Sequence, residues 1–138
     1  MIDLKEQKNN GGVLGKLLKK TLIFSADREL CQSLSLFFED IYEVISTTDA
    51  DKIVNEIIKT SPDVLIIDLP KVDKEMLEIL REAKKIKSDT HIILMFSYSN
   101  KETDVILSAM RTAIDAIFYK PVDITQLANT VGKVLLNK

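Results

Sequence analysis

Three side chains stand where chemistry is expected, each closing a run of apolar, β-forming residues. Asp68 follows Val64-Leu65-Ile66-Ile67, Ser97 follows His91-Ile92-Ile93-Leu94-Met95-Phe96, and Lys120 follows Ala116-Ile117-Phe118-Tyr119. A carboxylate at a strand tip can act as a nucleophile toward phosphorus. An ammonium beside it would neutralise phosphoryl charge, and a neighbouring hydroxyl can donate a hydrogen bond to a phosphoryl oxygen. Taken singly, each residue type at a loop start more commonly serves as a cap or a solvated polar group. Together the three form a chemically coherent set.

What must position them is an alternation of strands and helices. Apolar runs at 21–24, 42–46, 64–67, 91–96 and 116–119 read as strands. The third is apolar on both faces, as a central parallel strand must be. Between them, helical spacing predicts helices over 28–40, 51–59, 75–86 and 102–112, with a fifth carried by Ile124, Leu127, Ala128, Val131 and Leu135. Asp27 and Asp123 are candidate N-caps, and Ser61-Pro62 ends the second helix. The inward residues expected include Phe37, Phe38, Ile57, Ile58, Val105, Ile106, Ala109 and Met110. Such alternation implies a parallel sheet covered on both faces, with right-handed crossovers. Ligands in such folds sit beyond the C-terminal strand ends, which selects Ser25-Ala26-Asp27, Asp68, Ser97 and Lys120.

Composition narrows the chemistry. The chain has 138 residues, enough for one domain, and 19 Lys+Arg against 21 Asp+Glu leave a net charge of −2. That balance argues against direct capture of nucleic acid, and the basic run Arg81 to Lys87 reads as a solvated helix face. A single cysteine, Cys31, excludes an intrachain disulfide, and a single histidine, His91, excludes His-rich metal sites. No apolar run is long enough to span a bilayer. The start, Met1-Ile2-Asp3-Leu4-Lys5-Glu6, lacks the apolar stretch of a signal peptide, so a cytoplasmic location is expected. Residues 1–19 read as a separate N-terminal tail. Asn9-Asn10-Gly11-Gly12 punctuates it, and Val13, Leu14, Leu17 and Leu18 follow at helical spacing beside Lys16 and Lys19. Residues 20–138 read as the domain.

The motifs Pro62-Asp63-Val64-Leu65-Ile66-Ile67-Asp68, Ile93-Leu94-Met95-Phe96-Ser97 and Ile117-Phe118-Tyr119-Lys120-Pro121 resemble the receiver domain of two-component response regulators. The resemblance covers about residues 20–137. It implies an α/β fold, a flavodoxin-like (βα)5 doubly wound five-stranded parallel sheet in a three-layer α/β/α sandwich. It also implies phosphorelay signalling without enzymatic turnover. Asp68 matches the phospho-acceptor, Ser97 the hydroxyl that moves toward the phosphoryl group, and Lys120 the lysine that pairs with it. Lys120-Pro121 is a candidate cis bond. The implied partners are a histidine kinase or phosphotransfer protein and a downstream protein. The face of the fourth helix, fifth strand and fifth helix, where Leu107 and Ile117 lie, is implied as a homodimer surface.

The departures are specific. The family carries two acidic residues after the first strand, which hold Mg²⁺, and here those positions are Ser25-Ala26. Asp27 comes one residue late. Pro70 stands two past the aspartate, Val72 four past and Met76 eight past, where the family favours Pro at four and Gly at eight. The aromatic switch position is Ile117, and Tyr98 replaces a small residue. Mg²⁺ prefers hard oxygen ligands and usually one or two carboxylates. Asp68 with Asp27 and the Pro70 carbonyl, or Ser25 Oγ, makes a weak set, so poor Mg²⁺ affinity and slow or absent phosphorylation are expected. A receiver-like interaction module working without phosphorylation is the alternative. A flavodoxin-like cofactor binder is disfavoured, because the strand-end loops lack a Gly- and Ser/Thr-rich phosphate cradle.

Overall fold

In the computed structural model, which describes residues 18–97 and 100–136, strands and helices alternate as the sequence pattern requires. The strands are β1 (Lys20–Ser25), β2 (Glu43–Thr47), β3 (Val64–Leu69), β4 (His91–Phe96) and β5 (Ala116–Tyr119). The helices are α1 (Arg28–Phe38), α2 (Ile53–Thr60), α3 (Lys74–Ile86), α4 (Lys101–Ala109) and α5 (Ile124–Leu136), with a 3₁₀ turn at Ala50–Lys52 leading into α2. The tail residues Val13, Leu14 and Leu17, and Tyr98, lie outside the described residues.

All strands pair in parallel, in the order β2-β1-β3-β4-β5. Side chains alternate across the sheet. Leu22, Phe24, Leu65, Ile67, Ile92, Leu94 and Phe96 face α2, α3 and α4, packing with Ile53, Ile57, Leu80 and Ile106. Ile23, Val64, Ile66, Ile93 and Met95 face α1 and α5, packing with Cys31, Leu34, Phe38, Leu127 and Val131. The result is the expected three-layer α/β/α sandwich. Helix starts follow local side-chain chemistry. Asp27, Asp73, Asn100 and Asp123 each accept a backbone N–H of the first turn that follows. Lys84 Nζ, from the basic run, donates to the Ser88 and Thr90 carbonyls and closes the α3–β4 loop, so it is not a free phosphate contact.

Several expected core positions turn outward. On α4, Thr103, Ile106 and Met110 are buried, while Val105 and Ala109 are exposed. The reason lies in the cap: Thr103 Oγ1 donates to Asn100 Oδ1 at 3.2 Å, which satisfies its hydroxyl and lets a threonine take the first inward position. The buried stripe therefore starts at Thr103 and continues at i+3 and i+7. Phe37, Ile58, Ile86 and Ile124 are likewise exposed, each at the margin of its helix's apolar face. Cys31 is buried, with Sγ 3.7 Å from the Thr47 carbonyl. His91 Nδ1 lies 3.3 Å from Asp115 Oδ1 at the opposite end of the sheet from Asp68.

Candidate functional site

The order of the sheet reverses between β1 and β3, and in open parallel sheets that switch point opens a crevice at the C-terminal strand ends. The register places Ser25, the last residue of β1, directly beside Asp68 of β3. Asp68 in turn pairs with Met95 of β4, and β5 follows beyond it. The Lys120 N–H donates to the Phe96 carbonyl at 2.9 Å, which fixes the lysine at the mouth. The Lys120–Pro121 bond is cis, as the resemblance implies.

At this junction Asp68 is only 2% exposed; its Oδ2 accepts a hydrogen bond, while its buried Oδ1 has an ion-pair contact and no hydrogen bond. Ser25 Oγ donates to Oδ2 at 2.7 Å. Lys120 Nζ lies 2.7 Å from Oδ1, an ion pair in which the lysine side chain is 24% exposed. Ser25 is fully buried, and its oxygen also accepts the Asp27 N–H at 3.0 Å. The direction of these bonds is determined. A backbone N–H can only donate, so the single hydroxyl proton of Ser25 goes to Asp68. The carboxylate is thus held from one side by a hydroxyl and from the other by an ammonium, and its charge is balanced inside the cluster.

The other expected site residues are used differently. The Asp27 side chain is exposed and accepts the Leu30 N–H at 3.2 Å, capping α1 and standing outside the Asp68 cluster. Leaving that cap would cost about 1 kcal/mol. The Pro70 carbonyl accepts the Ser97 N–H at 2.9 Å and ties the β3 and β4 loops together. Ser97 is exposed at the mouth, and among the described residues its hydroxyl makes no bond to the Asp68 cluster. Of the expected metal donors, then, Asp27 is a cap and the Pro70 carbonyl is a loop tie. Receiver domains generally bind Mg²⁺ at this position, but the donors here do not fit that ion. One carboxylate is present, and a cation would have to displace a hydroxyl or an ammonium from it. Among the described residues no group of three or more His, Cys, Asp or Glu is arranged to hold a metal.

Ser25, expected from the sequence only as a weak stand-in ligand, donates the hydrogen bond that Asp68 accepts. The signal was present. Once β1 and β3 are neighbours, two polar residues that each close an apolar run are brought side by side. A second residue of note is Tyr119, which is exposed on β5 and packs its ring 4.9 Å from that of Phe96. It presents an aromatic on the same side of β5 as Ile117, two residues along.

No family model matches the chain. The sporulation initiation phosphotransferase F of Bacillus subtilis is 25% identical over 100 residues, covering 72% of this chain and 79% of that protein. A CheY-like response-regulator receiver domain from Methanospirillum hungatei superposes with a TM-score of 0.75 at 25% identity, covering 86% of this chain and 94% of that one. A receiver domain protein from Clostridium thermocellum gives a TM-score of 0.72 at 24% identity, covering 86% and 95%. Strand order, strand-tip arrangement and these likenesses define the class: a doubly wound, CheY-like signalling fold. Within it the chain is similar to response-regulator receiver domains of two-component signalling, and departs from them where Ser25 and Ala26 stand in place of the acidic pair.

Proposed function

We propose that the chain is a two-component receiver in which Asp68 is the phospho-acceptor, served by Ser97 and Lys120, and in which acceptance is slow and only weakly dependent on Mg²⁺. The observation that carries this reading is the 2.7 Å Lys120–Asp68 pair, which reaches from the end of β5 across β4 to the tip of β3. In the transfer an Asp68 oxygen attacks phosphorus, the bond from phosphorus to the donor nitrogen breaks, and the donor ring, protonated on its other nitrogen, leaves as neutral imidazole. Lys120 offsets charge on the phosphoryl oxygens, and the exposed Ser97 hydroxyl turns to donate to one of them. The donor is a histidine kinase or a phosphotransfer protein. The role is that of a signalling module, not of a turnover enzyme, and it is exercised in the cytoplasm. Output passes to a downstream protein partner. The face formed by α4, β5 and α5 serves for pairing with that partner or with a second copy. Residues 20–138 form the receiver unit, with 1–19 as an appendage.

A second reading is favoured by the Ser25–Asp68 bond, which ties up the nucleophilic oxygen that transfer needs. In that reading the module binds its partner irrespective of phosphorylation. One experiment separates the two. Wild type and Asp68→Asn are incubated with acetyl phosphate or phosphoramidate, with and without Mg²⁺, and weighed by mass spectrometry. Gain of one phosphoryl mass in wild type only supports acceptance at Asp68. If no donor or kinase adds that mass, the first reading fails, and equal partner affinity in the two proteins then supports the second.

A further inference from the structure

The 0% exposed Ser25 hydroxyl joins two parts of the site. It accepts the Asp27 N–H at 3.0 Å from the β1–α1 loop and donates to Asp68 Oδ2 at 2.7 Å on β3. Lys120 Nζ, 2.7 Å from Oδ1, supplies the positive charge. Tying the first loop to the strand-tip carboxylate and offsetting its charge are the two tasks that a divalent cation between carboxylates performs at such a place. Here they are divided between a hydroxyl and an ammonium. We propose that Ser25 is the positioning residue that makes this receiver independent of divalent cations, with its hydroxyl and Lys120 together replacing the ion. The inference rests on the receiver reading of the site.

It follows that side-chain identity at position 25 decides whether the site takes a cation. A hydroxyl satisfies Asp68 without adding charge. A carboxylate would set two like charges side by side, and a divalent cation would then relieve them. Only Ser25 needs to change, because Lys120 and Asp68 remain.

The test uses the full chain, MgCl₂ against EDTA, and no phosphodonor. Thermal unfolding and backbone amide NMR shifts at residues 25, 68 and 120 are followed for wild type, Ser25→Thr, Ser25→Ala and Ser25→Asp. Wild type and Ser25→Thr are expected to show the same Tm and the same shifts in both conditions. Ser25→Ala is expected to remain indifferent to Mg²⁺ and to open its strand-tip amides to hydrogen exchange roughly tenfold faster, having lost a bond to a charged group. Ser25→Asp is expected to have a lowered Tm in EDTA that climbs with added Mg²⁺, as binding to the native state alone requires. Saturable Mg²⁺ shifts at these amides in wild type, or a folded Ser25→Asp indifferent to Mg²⁺, would overturn the proposal. If Ser25→Asp folds in neither condition, the wild-type titration decides alone: flat upholds it, saturable overturns it. A protein that ignores Mg²⁺ and never gains phosphoryl mass keeps this inference and loses the phospho-acceptor reading, so the two fail separately.

Discussion

The Asp68 carboxylate is almost wholly withdrawn from water, so its partners control more than chemistry. Removing one partner of a buried ion pair leaves the other charge stranded, at about 3–5 kcal/mol when both are dry. The Lys120 side chain is 24% exposed and Asp68 2%, so water screens one member only. Lys120→Met is therefore expected to lower stability by about 2–3 kcal/mol, read as a reduced midpoint in urea unfolding. Asp68→Asn keeps an oxygen to accept the Ser25 proton and leaves Lys120 free to reach water, so its loss should be smaller, about 1 kcal/mol. A smaller loss for Lys120→Met than for Asp68→Asn would contradict this account. Tyr42, packed 6.0 Å from Phe38, has its phenol pushed above the ordinary value of 10.0 by burial. The native state then holds that proton where the unfolded chain releases it. Its contribution is complete below pH 10 and is lost as pH rises through the folded value. Wild type should accordingly lose more stability than Tyr42→Phe between neutral and strongly alkaline pH, as measured by urea unfolding at each pH. Asp68 and Lys120 were legible in the sequence because each closes an uninterrupted β run. Asp27 was ambiguous because an aspartate before a helix serves equally as ligand or cap, and only the geometry shows its oxygen on the Leu30 N–H.

At the scale of elements, the strands were plain from sequence because a sheet covered on both faces needs apolar residues at successive positions. Helix faces were less plain, and α4 shows why. Hydropathy alone groups Val105 and Ala109 with Ile106 and Met110, but the Asn100 cap satisfies the Thr103 hydroxyl and brings it inside, rotating the stripe. Ile106→Ala is thus expected to cost about 2–4 kcal/mol, while Val105→Lys should stay within about 0.5 kcal/mol of wild type in denaturant unfolding. The reverse ranking would mean the face is misassigned. The end of α2 carries a second local device. Ser61, before Pro62, sits in the left-handed region at φ 50° and ψ 62°, and its N–H closes on the Ile57 carbonyl at 2.9 Å. A side chain at that φ is disfavoured and glycine is not. Ser61→Gly is expected to leave stability unchanged or raise it by up to about 1 kcal/mol, and Ser61→Val to lower it by about 1–2 kcal/mol. Sequence correctly ended the helix at Ser61-Pro62 from the steric rule, but the rule does not say that the chain reverses hand there.

For the molecule as a whole, the sandwich carries large apolar side chains on its surface at α4 and β5. β5 pairs only with β4, so its outer edge is open, and four-residue edges are the kind that tolerate exposure. Val105 on α4 is 68% exposed, and on β5 Ile117 is 42% and Tyr119 59% exposed. Single exposed apolar side chains are ordinary on any protein, but three on adjoining elements make an area that association would cover. Tyr119 also packs on Phe96, so substituting it would disturb the core beneath the strand tips. Val105 and Ile117 are the cleaner probes. Val105→Glu together with Ile117→Lys should keep the wild-type unfolding midpoint to within about 0.5 kcal/mol while weakening self-association or partner binding at least tenfold. The readout is light scattering across a concentration series, alongside binding to the protein partner. If wild type stays monomeric at every concentration, self-pairing is refuted. If the double variant also binds the partner as tightly as wild type, this face carries no output. The near-balance of charge, −2 over the chain, neither drives nor opposes such pairing, so the apolar contacts would have to supply it.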